Sequence, residues 1–264
     1  MSAIVADLHV HTTRSDGTIH PEDIPRLALD HDLVAIAVTD HDRMPPWDRP
    51  INVREGVICI AAIELRVESH DAGRVDLLGY GLRQTDELAD EIERLQRDRR
   101  ERAQQMGMLL AEELDIDLDV DYGVGVGRPH IAKAVANATE LDEQTVFDRY
   151  IGDNGPCYVA RQVPSFETGA KLLKTACAFV VLAHPLRYDD VNAALALVDG
   201  LDGVEVAYPY GESVDQSILD EFLSTRQVIQ TGGSDAHDEV SIASAGLDHD
   251  DFEPVARRLG ITVD

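Results

Sequence analysis

The stretch DLHVHTTRSDG, residues 7–17, puts two histidines, two aspartates and three hydroxyl side chains into eleven consecutive positions. Its first half belongs to a β-branched, apolar run at residues 4–10 that predicts a buried strand. His9 and His11 are two residues apart on that strand, so their side chains project from the same face. Buried polar groups need a partner, and two neutral imidazoles suit one transition metal. An isolated HxH facing solvent at a strand end is the alternative.

The pattern of this first strand recurs along the chain and predicts an α/β fold. Further strands are predicted at residues 34–39, 57–65, 75–80, 179–183, 203–207 and 228–231. Amphipathic helices are predicted between them at residues 21–30, 165–175, 190–198 and 213–224. Apolar strands that alternate with helices indicate a parallel sheet, either a barrel or a doubly wound sheet. Seven strand candidates favour the barrel.

The alternation stops between residues 86 and 163, where the sequence is helical. Residues 86–113 form one long charged helical pattern, and residues 129–138 and 142–150 are helical as well. A coiled coil would need a longer run of heptads. We therefore expect residues 86–163 to be a helical insertion within a single barrel domain that covers residues 1–264.

Polar motifs lie at the carboxyl ends of several predicted strands. The motif VTDH ends the second strand, Glu64 ends the third, and Asp76 lies in the fourth. LAHP ends the fifth strand and GGSDAH ends the seventh, so five of the ten histidines fall at strand ends. Strand ends at the carboxyl face of a barrel meet in one mouth. Scattered surface histidines would not give this distribution, and the sequence predicts a metal site.

The composition restricts the partners of this site. Fifty acidic residues against 23 basic ones give a net charge of −27, and only three of the basic residues are lysines. This balance is typical of the high-salt cytoplasm of haloarchaea, with an acidic mesophilic protein as the alternative. A basic surface for duplex nucleic acid is not expected, nor is a membrane span or a secretory signal. Three scattered cysteines fit a reducing cytoplasm, so we expect a cytoplasmic protein.

The motifs HxH…SDG, TDH, IEL, RPHIA, LAHP and GSDAH, in this order, resemble the PHP superfamily, named for polymerase and histidinol phosphatase. The resemblance extends over essentially the whole chain and implies a distorted (β/α)7 barrel with two to three divalent metal ions, Mn, Fe or Zn. The segment GRPHIAKA and the helical insertion look most like the nucleotide phosphatases of this superfamily. Those enzymes remove the 3′-phosphate of nucleoside 3′,5′-bisphosphates, and some also degrade RNA from its 5′ end.

The resemblance implies a role for individual residues of this chain. The first ion would be held by His9, His11, Glu64 and Asp235. The second would share Glu64 and add His130, and the third would take Asp16, His41 and His237. Asp40 is expected to orient a ligand imidazole. His184 has no metal role in this assignment and is expected to contact phosphate or to act as a general acid.

One ligand position departs from the family pattern. The family commonly has a histidine before LLGYG, where this chain has Asp76. A carboxylate can still bind Mn or Fe, and its harder oxygen favours Mn over Zn. The alternatives are that this ion is lost or that His70, six residues earlier, replaces the ligand.

A cluster of metal ions predicts hydrolysis of a phosphoric ester by a hydroxide that bridges two ions, because such ions activate water and stabilise the phosphoryl oxygens. Arg128, Arg161 and Arg187 lie in loops near the motifs and are candidates for bidentate phosphate contacts. Surface ion pairs are their alternative role. Asp235, with His184 and Asp40, completes the residues expected to take part in catalysis.

Three functions remain open at this stage. The first is a phosphatase for a small nucleotide such as a 3′,5′-bisphosphate, with 5′→3′ exoribonuclease activity on short single-stranded RNA. The second is a histidinol-phosphate-type or other small-molecule phosphatase. The third is a non-catalytic module in which the metals only stabilise the fold, and the nearly complete ligand set argues against it.

Overall fold

A computed structural model describes residues 3–123, 125–152, 154–211 and 213–262. The chain divides into two compact units, one made of residues 1–89 and 164–264 and the other of residues 90–163. The helical segment expected from the sequence thus coincides closely with the second unit. The assignment of residues 86–163 as a helical insertion within a single domain stays a prediction.

The first unit is built on one mixed sheet, which has eight strands in the described part of the chain. The strands are β1 (Ala6–Val10), β2 (Ala35–Val38), β3 (Ile51–Arg54), β4 (Val57–Ser69), β5 (Gly73–Tyr80), β6 (Phe179–Leu182), β7 (Gly203–Ala207) and β8 (Ile229–Gly232). Their order is β1-β2-β4-β5-β6-β7-β8, with β3 paired to β4 at the side. Seven of them correspond to the expected strands, and β3 was missed.

The expectation of an all-parallel sheet is wrong. β4 pairs with β5 in antiparallel fashion, and so does β5 with β6. Three residues separate β4 from β5, and so short a connection joins only antiparallel strands because a parallel crossover needs a dozen residues or more. The other neighbours along the path, including β1 with β2 and β7 with β8, are parallel.

Helices alternate with the parallel strands, as expected. The described helices are α1 (Ile24–Asp30), α2 (Asp86–Leu114), α3 (Arg128–Ala138), α4 (Glu143–Val146), α5 (Phe166–Ala176), α6 (Val191–Ala196), α7 (Ser217–Ser224) and α8 (His249–Leu259). The Ser165 side chain accepts a hydrogen bond from the Thr168 amide and caps α5. The sequence reading did not include α8, which buries Phe252 in the same apolar cluster as Leu8 of β1.

The first and last strands of the sheet approach each other through a short contact. Val10 forms a parallel bridge with Ala236, which follows β8, and the His11 amide donates to the Ala236 carbonyl at 2.8 Å. A Cβ atom at Gly233 would collide with the backbone of His9, so this approach requires glycine. The carboxyl end of β8 is therefore held beside the carboxyl end of β1.

The second unit has an apolar core of its own. Met106 and Leu110 of α2 and Ile131 and Val135 of α3 are fully buried in one cluster. A π-helical turn at Phe147–Ile151 follows α4. Among the described residues, no helix combines the length and the apolar character that a membrane span requires.

Candidate metal centre

Four side chains point at one place: His9 of β1, His11 just after it, Glu64 of β4 and Asp235 after β8. His9 Nε2 and His11 Nε2 lie 3.5 and 3.3 Å from Glu64 Oε2. The same two nitrogens lie 3.5 and 3.1 Å from Asp235 Oδ1.

These donor atoms fit a metal ion better than they fit one another. His9 Nε2, both ring nitrogens of His11 and Glu64 Oε2 are buried, and none makes a hydrogen bond. Ligand atoms that share a tetrahedral ion at about 2.1 Å lie about 3.4 Å apart, close to the separations seen here. Burying polar atoms without a partner costs free energy, and a bound cation removes that cost. His9, His11 and Asp235 accordingly form one of three groups among the described residues that are able to hold an ion.

A second group lies next to the first and shares His11 with it. Asp16, His41 and His237 join His11 in a set whose ligand atoms all fall within 4.8 Å of one another. The rings of His11 and His237 stack with centroids 4.3 Å apart. The loop after β1 supplies Asp16, so the opening motif of the chain contributes to both groups.

The third group is His41, Glu64 and Asp76. Glu64 Oε2 is 2.9 Å from His41 Nδ1. The same oxygen faces His9 and His11 of the first group, so Glu64 lies between the first and third groups. Asp76 is 2% exposed and is held by Arg66, whose Nε and Nη2 donate to its two oxygens at 2.8 and 2.7 Å. Sequence reasoning missed Arg66, although it lies two residues after Glu64 on the same strand face.

The buried charges shift one another. Burial lowers the pKa of His11, but the close carboxylates of Asp235 and Glu64 outweigh it and raise that pKa to about 9. Burial raises the pKa of Glu64, yet the neighbouring His41 and His9 hold it well below its usual range. The pKa of Asp235 is likewise low, because the effect of burial is overcome by His11 and His9. Excess negative charge thus draws protons onto the imidazoles, as it would draw a metal cation.

Glu205 of β7 is a further part of the centre that the sequence reading missed. It is fully buried, and its Oε1 lies 2.9 Å from His9 Nδ1 while its Oε2 accepts from the His184 amide at 2.8 Å. A carboxylate on the far nitrogen of a ligand imidazole fixes the tautomer and the ring orientation. The available signal was one acidic residue inside the apolar strand GVEVA.

Asp40 does not contact a ligand imidazole, and that expectation is corrected. Its Oδ1 accepts from the Thr12 amide and the Ser15 hydroxyl at 2.7 and 2.6 Å, and its Oδ2 accepts from the Thr12 hydroxyl at 2.7 Å. Three donors from the loop after β1 thus satisfy the Asp40 carboxylate, which lies two residues after β2. Asp40 therefore orders the loop between His11 and Asp16.

His184, Tyr208 and Arg187 line the other side of the cluster. His184 is 5% exposed, adopts a strained φ of +27°, and places Nε2 3.1 Å from Glu64 Oε1. The Tyr208 hydroxyl donates to Asp235 Oδ2 at 2.9 Å. Arg187 Nη1 reaches the same oxygen at 3.3 Å and is about half exposed. The roles expected for His184 and Arg187 stay predictions.

Two further candidate ligands are His70 and His130. His70 is an exposed residue of the connection between β4 and β5 and belongs to none of the three groups. His130 lies in the second unit, exposed in the first turn of α3, where its Nδ1 accepts from the Gly127 amide at 3.2 Å. Its assignment to an ion stays a prediction.

Arg128 and Arg161 also belong to the second unit, and a third arginine accompanies them. Arg102 was not singled out in the sequence. Burial lowers the pKa of its guanidinium, and the charges of Arg128 and Arg161 lower it further. The guanidinium carbons of Arg102 and Arg128 lie 5.5 and 5.8 Å from the centre of the Tyr158 ring. The second unit thus gathers positive charge in a strongly acidic chain.

Comparison with known proteins identifies a family and several relatives that this chain resembles. The family model described as "PHP domain" matches residues 7–142. A 3′,5′-nucleoside bisphosphate phosphatase from Chromobacterium violaceum is 29% identical over 253 residues, which covers 88% of this chain and 86% of the relative. A 5′-3′ exoribonuclease from Haemophilus influenzae is 26% identical and covers 88% and 89% of the two chains.

A solved structure shares the fold. A Bifidobacterium adolescentis protein described as a metal-dependent phosphoesterase superposes with a TM-score of 0.79 at 23% identity, over 99% of this chain and 98% of the other. The mixed sheet and the helices around it therefore recur in a known protein.

Proposed function

Since the chain belongs to the PHP domain family, we propose that it is a metal-dependent hydrolase that removes the 3′-phosphate of nucleoside 3′,5′-bisphosphates. The observation that carries the proposal is the set of buried, unbonded donor atoms on His9, His11 and Glu64. Such atoms are costly to bury without a partner, and a cation between them removes that cost. The bisphosphate phosphatase relative supports this choice of substrate.

We assign the first ion to His9, His11, Glu64 and Asp235, and another to Asp16, His41 and His237 with His11. Manganese is the first choice, because carboxylates supply much of the ligand set, with iron or zinc as alternatives. When bound, these ions supply Lewis-acid activation of water and of the phosphoryl group. The sheet around them is expected to close into the distorted (β/α)7 barrel of the family.

The residues of the chain position the substrate around the ions. Arg187 is half exposed beside Asp235 and can turn a guanidinium edge toward phosphate. His184 Nδ1 is buried without a hydrogen bond, which leaves it able to exchange a proton with a leaving oxygen. Arg128 and Arg161 of the second unit stay candidates for phosphate contacts.

A second activity, 5′→3′ exoribonuclease action on short single-stranded RNA, is favoured by the Haemophilus influenzae relative. Both substrates present a phosphate close to a ribose, so one site can serve both. Capture by a few local arginines, in a chain with net charge −27, favours small or single-stranded substrates over duplexes. We expect the protein to act in a salt-rich cytoplasm.

The test is a substrate panel on the manganese-loaded protein in molar KCl: adenosine 3′,5′-bisphosphate, 5′-phosphorylated short RNA, duplex RNA and histidinol phosphate. The bisphosphate should be hydrolysed fastest. His9→Ala should lose the activity by more than 1000-fold, on the order seen for essential groups. His249→Ala, at an exposed histidine of α8, is the matched control.

Faster hydrolysis of histidinol phosphate than of the bisphosphate would favour a small-molecule phosphatase. A folded, metal-loaded protein that hydrolyses no ester would favour the non-catalytic module.

A further inference from the structure

The pair of Arg66 and Asp76 lies inside the candidate metal centre. The antiparallel register of β4 and β5 sets the two residues directly opposite each other. Both oxygens of Asp76 accept a guanidinium N–H, at 2.8 and 2.7 Å, and the carboxylate is 2% exposed. This parallel two-bond geometry is the strongest that an arginine offers to a carboxylate.

The same carboxylate belongs to a group that can hold an ion, together with His41 and Glu64. Glu64 and Arg66 lie on the same face of β4. The Arg66 guanidinium occupies both oxygens of Asp76, which that group would need for an ion. His41 and Glu64 also belong to the ligand sets of the two ions assigned above. Within this group, Asp76 would therefore be the one ligand that a third ion does not share with the other two ions.

We propose that Arg66 is a built-in cation that takes the place of a metal ion at the His41–Glu64–Asp76 group, so that the chain holds two ions rather than three. The inference rests on the proposed function, because it presumes the other two ions. A guanidinium repels a divalent ion placed on the same carboxylate. Arginine also stays charged at every physiological pH, so it cannot vacate the position by losing its proton.

The experiment counts ions. Protein stripped with EDTA is reloaded with excess Mn²⁺, desalted and measured by elemental analysis against its concentration. Wild type should carry two ions per chain. Arg66→Ala and the double variant Arg66→Ala/Asp76→His should carry three, because each frees the ligand position.

The matched control is Arg74→Ala. Arg74 is paired with Glu68 across the same two strands, with Nε 3.7 Å from Oε1, at a register position two residues farther from Glu64. Its loss removes one arginine from the same hairpin and should leave the count at two. Circular dichroism reports whether each variant is folded.

Three ions in wild type would overturn the inference without any variant. So would a folded Arg66→Ala protein that still carries two. Asp76→Asn gives a further check, since it should leave the count at two, and a fall to one would show that Asp76 binds an ion. A wild-type count of zero would instead defeat the proposed function, so the two failures are distinguishable.

Discussion

Replacing Glu205 with glutamine is expected to weaken metal binding although Glu205 belongs to none of the ion-holding groups. The carboxylate has two acceptor oxygens, one 2.9 Å from His9 Nδ1 and the other 2.8 Å from the His184 amide. Glutamine has one acceptor oxygen and an NH₂ group. One of the two donors must therefore lose its acceptor in a fully buried place.

The protein has two ways to accommodate this loss, and both are costly. If the His184 amide is left unsatisfied, an unpaired buried donor costs about 1–3 kcal/mol. If instead His9 turns Nδ1 into an acceptor, its proton moves to Nε2, the nitrogen that faces Glu64 and Asp235. A protonated Nε2 cannot bind a cation, and loss of such supporting contacts lowers metal affinity by about 10–100-fold.

Two measurements check this reasoning. Urea unfolding of the metal-free protein should show Glu205→Gln destabilised by about 1–3 kcal/mol. Calorimetric titration with Mn²⁺ should show the affinity loss at the first ion. Glu22→Gln, at an exposed glutamate before α1, is the control for the chemical change. Wild-type values for Glu205→Gln in both assays would refute the role given to this carboxylate.

Three further outcomes are expected. In EDTA, the pKa of His11 is about 9, above its usual 6.5, so the stabilisation by protonated His11 is complete below about pH 6.5 and is lost as the pH rises through about 9. Urea unfolding should therefore show that the free energy of unfolding decreases by up to about 3 kcal/mol over this range, and a flat profile would contradict it. Asp40→Ala leaves the Thr12 amide without its acceptor and should cost about 1–3 kcal/mol, measured by thermal melting against wild type. Arg187→Ala should raise KM for the bisphosphate about tenfold with kcat nearly unchanged, and a larger loss in kcat than in KM would place its contact in the transition state.

The sequence was informative where a residue type and its position on a strand were enough. His9, His11, His41 and His237 were selected because parallel strands bring their carboxyl ends together, and the structure gathers them. Glu205 was out of reach, because its contact with His9 spans 196 positions and depends on how β7 registers against its neighbours. Arg66 was missed for the same reason, since only the pairing of β4 with β5 sets it opposite Asp76.

Two local features, the side-chain direction of Asp40 and strand β3, were not predicted from the sequence for a different reason. Asp40 was correctly placed at a strand end, but the direction of its side chain depends on the conformation of the loop after β1. Strand β3 was missed because its four residues are half-buried or exposed and carry no clear alternation. The antiparallel turn into β5 could have been recognised from the short connection alone.

The buried Asp7 has a consequence for how the chain is made. Its carboxylate accepts bonds from the amides of Ser234 and Ala243 at 2.9 Å each, more than 220 positions away. On a translating ribosome, the edge of β1 opposite β2 therefore stays unpaired until β8 and the segment after it have emerged. His9 and His11 meet Asp235 only then, so the candidate centre can be completed only after Asp235 has been synthesised. Until that moment the unpaired edge of β1 is a segment prone to aggregation.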